Sequence, residues 1–588
     1  QRPDPSWTVA TQLLPTSDSS TFTAPHLQYF MDSPTHLAAQ TWYEWDESAN
    51  GKTYKMRIAL DHLGTSKEGD AYYEGTAAIV AQAAKVFGTL PDFDGGRYTF
   101  LATYLPWASG DGMEHRNSTS LTSSGSLATS KDGLLGTVAH EFFHAWNVER
   151  IRPRTLEPFS FEEANMSGEL WLAEGFTSYY GPLVIRRAGL QSDADFAEDM
   201  AGAVNLVMNA PGRRFFSAVE MSQQAPFTDA AVSIDPQNKG NTFISYYPYG
   251  QAIALALDLT LRGRGKTLDD FMREMWKTHG AQQRNYAPVK PYTVADARAA
   301  LARVSGDASF AKDFFARYIE GKEAAPYAEL LRQGGFVVRK ARSGAAWAGD
   351  VALRFEGGKA VVTAPTPIGS PLYAIGIDRN DRIVSVDGRA MTGSADWSAV
   401  LAAHKPGEVV PVSFESRGKT INEMMTLGES PRIEIVTFEA AGEPVTDAVR
   451  AQMSGIRLSR RRKPQRAGLR RPVRFGSASI GGGRRTMRRA STDGAASRLV
   501  SVDQHGPHRE EPRAPAEADE GGELRADVGV AQHVLVGAQV LEDDPLARGV
   551  GGTSPDGGHL RAQLGVGRGQ ALERGGGGAP VPRPQGTL

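Results

Sequence analysis

The sequence predicts a multidomain α+β protein. Its 588 residues are too many for one hydrophobic core, because single cores stop growing at roughly 250–300 residues. Strand-like segments come first in the chain and helical patterns follow, an order that is typical of α+β domains. The residue composition changes near residue 335 and again near residue 455, which predicts further structural units after the first domain.

The amino-acid composition limits which partners and which metal ligands can be expected. The chain carries 65 basic and 67 acidic side chains, a formal net charge of −2, so overall charge gives no reason to expect nucleic acid or a membrane surface as partner. Since cysteine is absent, any bound metal must be held by histidine and carboxylate side chains. No uninterrupted apolar run approaches the ~20 residues of a membrane-spanning helix. Because the first residue is Gln1, we expect a chain that is processed or incomplete at its front.

Residues 1–34 and 35–330 form the first two predicted units. Residues 1–34 contain short apolar groups such as WTVATQLL and read as strands and turns that are too few to form a sheet alone. Residues 35–330 open with three strand-like segments, LAAQTWYEW, TYKMRIAL and RYTFLATYL, and continue as helices. The predicted helices cover 74–88, 133–148, 169–187, 193–208, 246–262, 267–278 and 294–304.

Residues 335–430 form a predicted small β-rich module, because short β-branched segments are separated there by Gly, Pro and Asp. Within it, IGSPLYAIGIDRNDRIVSVDGRAM resembles a bacterial-type PDZ domain, in which a short helix after Ser-Pro leads into a turn and a strand. This resemblance implies a PDZ-like domain that binds extended peptide C-termini by strand addition.

Residues 431–588 read as a linker and a low-complexity tail. Beyond residue 455 the only aromatic side chain is Phe475, and Gly, Arg, Pro and Ala dominate. A segment this poor in apolar surface cannot offset the entropy of ordering, so we predict disorder. Thirteen Arg or Lys and no acid in residues 457–489 suggest a nucleic-acid-binding arm. The joint loss of Lys, Asn, Tyr and Trp favours instead a segment translated out of frame.

The segment HEFFHAWN, residues 140–147, predicts a metal site. Positions i and i+4 share one face of a helix, so His140 and His144 can direct their imidazoles at a common point. Glu141 is rotated by about 100° from His140 and can reach a water at that point without being a ligand. We expect Asp132 to cap this helix. The alternative is a pair of ordinary histidines, but chance predicts only about 0.01 such motifs in a chain of this length.

A third ligand is needed, because a catalytic zinc keeps three protein ligands and one open position. The candidate acids downstream are Glu149, Glu157, Glu162, Glu163, Glu169 and Glu174. Glu174 lies in the apolar stretch GELWLAEGFTSYY, where a carboxylate without a partner would be costly. We therefore predict Glu174 as the third ligand.

Together, HEFFHAWN and LWLAEGFTSYY resemble the gluzincin metallopeptidases. NVERIRP after the zinc helix, GMEHRNS before it and the trailing PDZ-like module resemble, more narrowly, the glycyl aminopeptidase family. The resemblance implies a thermolysin-like catalytic domain over residues 35–330, with residues 1–34 as the remnant of a leading β-rich domain. It also implies one zinc ion per chain, held by His140, His144 and Glu174, with Glu141 as general base.

The same resemblance assigns two further site residues. DGMEHRNS, residues 111–118, resembles the Gly-x-Met-Glu-Asn exopeptidase motif, so Glu114 would pair with the free α-amino group of a substrate, while His115 stands where asparagine is usual. FISYYPYGQAIALALDL resembles the segment that supplies a tyrosine to the reaction's oxyanion. Tyr247 is the match, and Tyr246 and Tyr249 remain alternatives.

The family resemblance implies a zinc-dependent aminopeptidase that removes N-terminal glycine, with alanine as a second candidate. Its expected partners are a peptide with a free N-terminus and a peptide C-terminus at the PDZ-like module, with neither nucleic acid nor membrane. A zinc endopeptidase is the main alternative, and a non-catalytic peptide-binding scaffold is another. The family resemblance implies a bacterial protein, placed in either the periplasm or the cytoplasm.

Overall fold

A computed structural model describes residues 3–18, 20–228 and 238–447, together with Val449 and Ile456. The predicted disordered or out-of-frame tail lies outside these residues, apart from Ile456. Among the described residues, no helix combines the length and the apolar character that crossing a lipid bilayer requires.

A five-stranded mixed sheet forms one layer of the first half of the chain. Its order is β5-β6-β7-β9-β8, with β6 parallel to β7 and β7 parallel to β9. β8 is therefore an edge strand, bonded to β9 alone within this sheet. The nine strands of this half are β1 (Thr8–Thr11), β2 (Leu14–Pro15), β3 (Phe22–Thr23), β4 (Thr35–Ala38), β5 (Thr41–Ala49), β6 (Lys52–His62), β7 (Arg97–Tyr104), β8 (Asp111–His115) and β9 (Ser118–Ser123).

Helices form the second layer. They pack on the sheet through one continuous apolar core that includes Phe100, Phe142, Trp146, Trp171 and Leu255. Their bounds are α1 (Leu27–Met31), α2 (Ser66–Phe87), α3 (Leu127–Phe143), α4 (Leu170–Ala173), α5 (Gly175–Ala188), α6 (Asp193–Asn209), α7 (Ala218–Gln223), α8 (Ala225–Thr228), α9 (Lys239–Thr242), α10 (Tyr246–Arg262), α11 (Leu268–Met275), α12 (Val294–Ser305), α13 (Ala308–Phe314) and α14 (Tyr327–Gln333).

Helix α3 differs from its prediction at both ends. It starts after Ser126, which has the extended backbone of an N-cap residue, with φ −81° and ψ 153°. Asp132 lies inside the helix with its side chain exposed, so its prediction as the cap is wrong. The added first turns are largely polar and gave no apolar periodicity to detect. The helix ends at Phe143 and His144 is its C-cap in the right-handed helical region, so His140 and His144 still lie one turn apart.

From residue 336 onward, the described chain is mostly β. Before that point, between α11 and α12, a short hairpin joins β10 (Gln283–Arg284) to β11 (Ala287–Pro288). The later strands are β12 (Phe336–Lys340), β13 (Ala346–Trp347), β14 (Leu353–Glu356), β15 (Lys359–Val362), β16 (Arg382–Val386), β17 (Arg389–Ala390), β18 (Val409–Ser416), β19 (Lys419–Thr426), β20 (Gly428–Glu429) and β21 (Ile433–Thr437). The helices among them are α15 (Pro371–Ala374), α16 (Ser394–Ala403) and α17 (Phe438–Ala441).

Residues 341–432, called the C-terminal module below, have a sheet and a core of their own. The sheet order is β14-β15-β16-β18-β19, with β17 added on β16. Leu372, Ile383, Val410 and Phe414 belong to a core cluster separate from that of the helices. The module thus organises its own apolar interior.

Strands β12 and β21 flank the C-terminal module and pair with each other in antiparallel register, from Phe336 with Thr437 to Lys340 with Ile433. Phe336, Ile433 and Ile435 are buried in the core formed by the sheet and helices of the first half. Residues 433–441, which the sequence assigned to the linker, therefore form a strand and a short helix. Ile433, Ile435 and Thr437 are buried and alternate with the less buried Glu434 and Val436, which fits a strand with one buried face.

Candidate metal centre

Three side chains converge between helix α3 and the junction of α4 with α5. The Glu174 Oε2 atom lies 3.3 Å from His140 Nε2 and 3.2 Å from His144 Nε2. The two imidazole rings are 4.8 Å apart and nearly perpendicular. Tetrahedral zinc binds nitrogen and oxygen at about 2.0–2.2 Å, which places neighbouring ligand atoms roughly 3.3 Å apart. The donor set and its spacing therefore fit zinc.

Asn147 connects His144 with the segment that carries Glu174. The Nδ1 atom of His144 lies 2.6 Å from the Asn147 carbonyl oxygen, so it donates there and leaves Nε2 free to bind a cation. The Asn147 side-chain amide donates to the carbonyls of Leu172 and Ala173, each at 3.0 Å, and to Thr177 Oγ1 at 3.1 Å. One residue thus connects the histidine helix with the helices on either side of Glu174.

The backbone after Asn147 is strained. Val148 has φ +121°, a region that β-branched residues rarely adopt. Strain of this kind persists only where the surroundings impose it. Here it directly follows the carbonyl that receives the His144 hydrogen bond.

Glu174 occupies a break between two helices. The sequence predicted one helix over 169–187, whereas the structure has α4 and α5 meeting at Glu174. At this break α10 crosses closely, because a Cβ added to Gly175 would overlap the Cα of Gly250, and one added to Gly250 would overlap the carbonyl oxygen of Trp171. Two glycines at the crossing thus allow α10 to reach the metal-ligand group.

Glu141 and Glu114 form a second group of possible metal ligands with His144. One ligand atom each from Glu114, Glu141 and His144 fall within 4.8 Å of one another. Glu114 is carried by the edge strand β8, and the approach of β8 to α3 requires a glycine. A Cβ at Gly112 would overlap the Glu141 carboxylate and lie 2.7 Å from Thr137 Cγ2. Sequence analysis did not identify this role for Gly112.

Tyr247 lies beside the ligand group at the start of α10. Its ring stacks on that of His140 at 6.1 Å with an angle of 28°. Tyr246 packs against Tyr247 at 4.9 Å, and its side chain is almost wholly buried. Tyr249 is fully buried. Of the three tyrosines considered, Tyr247 is the one that both contacts a ligand ring and stays partly exposed.

Burial and neighbouring charges shift the pKa values of Glu141, His140 and His144. Burial raises the pKa of Glu141 well above its usual value. Burial also lowers the pKa of His140, favouring the neutral form that binds metals. For His144, burial is outweighed by the Glu174 and Glu114 charges, so its pKa is raised. A cation at this point would replace a proton on His144.

The other candidate acids are engaged elsewhere or lie outside the ligand group. Glu157 pairs with Arg152 at 3.1 Å. Glu169 accepts from Ser167 at 2.9 Å and from the backbone N–H of Val294 at 3.3 Å. Glu162 and Glu163 are exposed beside Ser160. The metal-ligand groups among the described residues do not include Glu149, although burial raises its pKa to about 7.

Asp32 is a contributor that sequence analysis missed. His115 Nδ1 lies 2.9 Å from Asp32 Oδ1, and the backbone N–H of Arg116 donates to Asp32 Oδ2 at 3.1 Å. The segment before β4 therefore reaches the residue next to Glu114. No local pattern marks such a contact, since 83 positions separate the two side chains. Asn147 was closer to detection, as it lies three residues after His144.

The part of the chain that carries these side chains matches a known protein family. Residues 133–253 match the family model described as M61 glycyl aminopeptidase, a span that contains His140, Glu141, His144, Glu174 and Tyr247. The resemblance inferred from the sequence is confirmed over that span. The matched family and the metal-ligand group together support a hydrolase of the metallopeptidase class. No curated protein matches the chain.

Solved structures add a likeness of fold. The crystal structure of an aminopeptidase N family protein from Idiomarina loihiensis is similar over 76% of this chain and 77% of that chain, with a TM-score of 0.58 and 20% sequence identity. It supports the mixed helix and sheet, multidomain architecture. The M1 zinc metallopeptidase from Deinococcus radiodurans overlaps over 55% of this chain and 63% of that one, with a TM-score of 0.36 and 15% identity. That overlap is too low to carry an argument.

Proposed function

We propose that this protein is a zinc-dependent aminopeptidase that removes N-terminal glycine, and secondarily alanine, from peptides. The observation that carries the proposal is the position of Glu114, which shares one group of carboxylate and imidazole atoms with Glu141 and His144. Such a carboxylate favours a cationic α-amino group and fixes the scissile bond one residue away. An endopeptidase would have no use for that anchor.

His140, His144 and Glu174 would hold the zinc ion. When bound, zinc supplies Lewis acidity that polarises the peptide carbonyl and lowers the pKa of water. Glu141 accepts a proton from the attacking water and delivers it to the nitrogen of the leaving amine as the C–N bond breaks. The Tyr247 hydroxyl donates a hydrogen bond to the carbonyl oxygen as negative charge develops there.

The decisive test compares a glycyl peptide that has a free amino group with its N-acetylated form. The free peptide is expected to be cleaved and the acetylated one to resist, because acetylation removes the charge that Glu114 binds. Glu114→Gln is expected to lower kcat/KM on the free peptide by roughly 10–100-fold, the value of one charge-assisted hydrogen bond. Equal cleavage of the two peptides would favour the endopeptidase alternative.

A second measurement separates an enzyme from a peptide-binding scaffold. Glu141→Gln keeps the size of the side chain but cannot take a proton, so turnover is expected to fall by about 10²–10⁴-fold while one equivalent of zinc per chain is retained. Unchanged hydrolysis in this variant, or the absence of copurifying zinc, would favour the scaffold. Substrates that differ only in the first residue then measure the preference for glycine over alanine.

The C-terminal module is proposed to be PDZ-like and to bind extended peptide C-termini. Two observations support this proposal: the short helix α15 begins at Pro371, as the motif predicted, and the module has its own core. A bacterial location, in the periplasm or the cytoplasm, is likewise part of the proposal. It rests on the family resemblance alone.

A further inference from the structure

One buried amide joins the C-terminal module to the segment that carries Tyr247. The Nδ2 atom of Asn241 donates to the carbonyl of Thr366 at 2.9 Å, and its Oδ1 accepts from the backbone N–H of Ile368 at 2.8 Å. Asn241 is 2% exposed and Thr366 is fully buried. The hydrogen bond to Thr366 is buried and the one from Ile368 is partly buried, so a lost partner would leave a costly unpaired group.

The chain between Asn241 and Tyr247 has little freedom. Asn241 lies in the single-turn helix α9, and its backbone N–H donates to the Asn238 carbonyl at 2.9 Å. Phe243 and Ile244 then run against Gly212, where an added Cβ would lie 2.8 Å from the Phe243 carbonyl carbon and 3.1 Å from the Ile244 nitrogen. A displacement at Asn241 is thus passed along a short, tightly packed segment.

Ser245 links the segment that follows Asn241 to the start of helix α10. Its side chain caps the helix and accepts from the backbone N–H of Tyr247 at 3.4 Å. Tyr247 in turn stacks on the ring of His140. The sequence of contacts from Thr366 and Ile368 through Asn241 and Ser245 therefore ends on the metal-ligand group.

The module's side of the bridge is equally well defined. Thr366 donates its hydroxyl to the Ile377 carbonyl at 2.6 Å. Ser370 caps helix α15, and a Cβ at Gly349 would lie 3.0 Å from the Ser370 Cβ. The backbone N–H of Leu372 donates to the Ala348 carbonyl at 2.9 Å, next to strand β13. The loop that Asn241 binds is thus part of the module's folded framework.

We propose that Asn241 is a positioning residue for Tyr247, through which the folded C-terminal module sets the placement of the oxyanion donor. This inference rests on the proposed function, because it assigns Asn241 to the same reaction. Asn241 reaches the metal-ligand group only along the segment that leads through Ser245 to Tyr247 in the contacts described above, so we expect its effect on the reaction to pass through Tyr247. A donor displaced by about 1 Å can cost up to 10²-fold in rate, since the hydrogen bond to the transition state depends on geometry.

Asn205 provides a matched control. Its Nδ2 donates to the Ile433 carbonyl at 2.8 Å and its Oδ1 accepts from the Ile433 N–H at 2.8 Å. The bonding pattern is the same as that of Asn241, again to a segment C-terminal to β12. Asn205 lies on α6, however, and is not part of the segment that leads to Tyr247. Its replacement removes a comparable bridge without moving the start of α10.

The experiment compares Asn241→Ala, Asn205→Ala, Tyr247→Phe and the double variant Asn241→Ala/Tyr247→Phe on the zinc-loaded full chain. Asn241→Ala is expected to lower kcat by roughly tenfold, within the 10²-fold bound for a misplaced group, with KM and zinc content unchanged. Asn205→Ala is expected to lower the thermal midpoint to a similar extent and to leave kcat unchanged. In the double variant, kcat is expected to equal that of Tyr247→Phe alone.

Two outcomes would overturn the inference. The first is an equal kcat for the Asn241→Ala and Asn205→Ala variants, which would show that Asn241 only connects two parts of the structure and does not position Tyr247. The other is a multiplicative loss in the double variant, which would show that Asn241 acts independently of Tyr247. Failure of the proposed function is distinguishable from both, because it would appear as a wild-type chain that does not hydrolyse glycyl peptides at all.

Discussion

At the scale of single residues, Asn147 connects the parts of the candidate metal centre. Its side-chain amide donates to backbone carbonyls 25 and 26 positions away, and so it helps to place Glu174 relative to His144. The convergence of His140, His144 and Glu174 could be predicted from a spacing and from the cost of an unpaired acid in an apolar stretch. The contacts of Asn147 could not, because local patterns contain no information about distant backbone partners.

Asn147→Ala is expected to weaken zinc binding by about 10–100-fold, the usual effect of removing a group that orients ligands. The backbone carbonyl that accepts the hydrogen bond of His144 stays, but the side-chain hydrogen bonds to Leu172, Ala173 and Thr177 are lost. Glu174 is then less firmly placed relative to His144. Competition with a chelator of known zinc affinity measures the change.

Asn165→Ala is the control for that experiment. Asn165 also donates its amide to two backbone carbonyls, those of Ser160 and Glu163, at 2.7 and 3.1 Å, but in a loop outside the ligand group. Zinc affinity should stay at the wild-type level. If both variants lose affinity equally, Asn147 has no special part in the metal site.

The His115–Asp32 pair predicts a pH-dependent stability. Burial alone would lower the pKa of His115, but the hydrogen bond and charge of Asp32, with the charges of Glu149 and Glu114, outweigh it and raise the pKa. A histidine whose folded-state pKa is raised adds stability below its unfolded pKa of about 6.5, and that stability is lost as pH rises through the folded pKa. Asp32→Asn should therefore lower the free energy of unfolding by about 1–2 kcal/mol near pH 5.5, and by less near pH 8.5.

Denaturant unfolding at the two pH values checks this expectation. Asp46→Asn is the control, since Asp46 pairs with Lys55 at 3.2 Å and both side chains are about half exposed or more. It carries no histidine partner and should show no pH dependence between those values. A loss that is equal at both pH values in Asp32→Asn would contradict the assigned proton.

At the scale of elements, periodicity located the helices well where both ends carry local signals. The predicted helix over 246–262 coincides with α10, which Ser245 caps, and the one over 193–208 agrees with α6, which starts with a capping box of Ser192 and Asp195. The break at Glu174 was missed, because it arises where α10 crosses. A contact between remote segments leaves no trace in the periodicity of either one.

Gly250→Ala tests that crossing. The added methyl group would overlap the Trp171 carbonyl and lie 2.7 Å from the Gly175 Cα, so backbone must move. We expect a loss of about 1–3 kcal/mol in the free energy of unfolding and a lower kcat, because Glu174 and Tyr247 flank the contact. Thermal or denaturant unfolding and steady-state kinetics measure the two effects.

Gly202→Ala is the matched substitution in the middle of α6, where an added Cβ meets nothing within 4 Å. It is expected to stabilise the protein by about 0.5–1 kcal/mol, since alanine loses less conformational freedom in a helix than glycine does. Similar effects of the two substitutions on stability would argue against a tight crossing at Gly250.

At the scale of the whole molecule, the order of strands followed by helices predicted the α+β architecture. The pairing of β12 with β21 was beyond reach, because the whole C-terminal module separates the two strands. Parallel pairing of β6 with β7 and of β7 with β9 was likewise not assigned. Tertiary packing determines which strands pair, and the local pattern of a single sequence does not reveal that packing.

Removing residues 457–588 is expected to leave kcat/KM and the thermal midpoint unchanged, because that segment lacks the apolar side chains needed for a core. A longer deletion that starts after residue 427 serves as the comparison. It removes β21 and with it Ile433 and Ile435 from the main core, and should lower the thermal midpoint sharply. A large loss of activity or stability in the shorter deletion would show that the compositional argument fails.

The ladder between β12 and β21 has one further consequence. Lys340 and Ile433 face each other, and ladder partners lie only about 5 Å apart, so the polypeptide leaves and re-enters the peptidase portion at practically one point. Residues 341–432 are therefore an insertion between two neighbouring positions of that portion. The path of the chain would therefore allow a tight turn or another domain in its place, but either replacement would also have to supply the hydrogen bonds that Asn241 makes to Thr366 and Ile368.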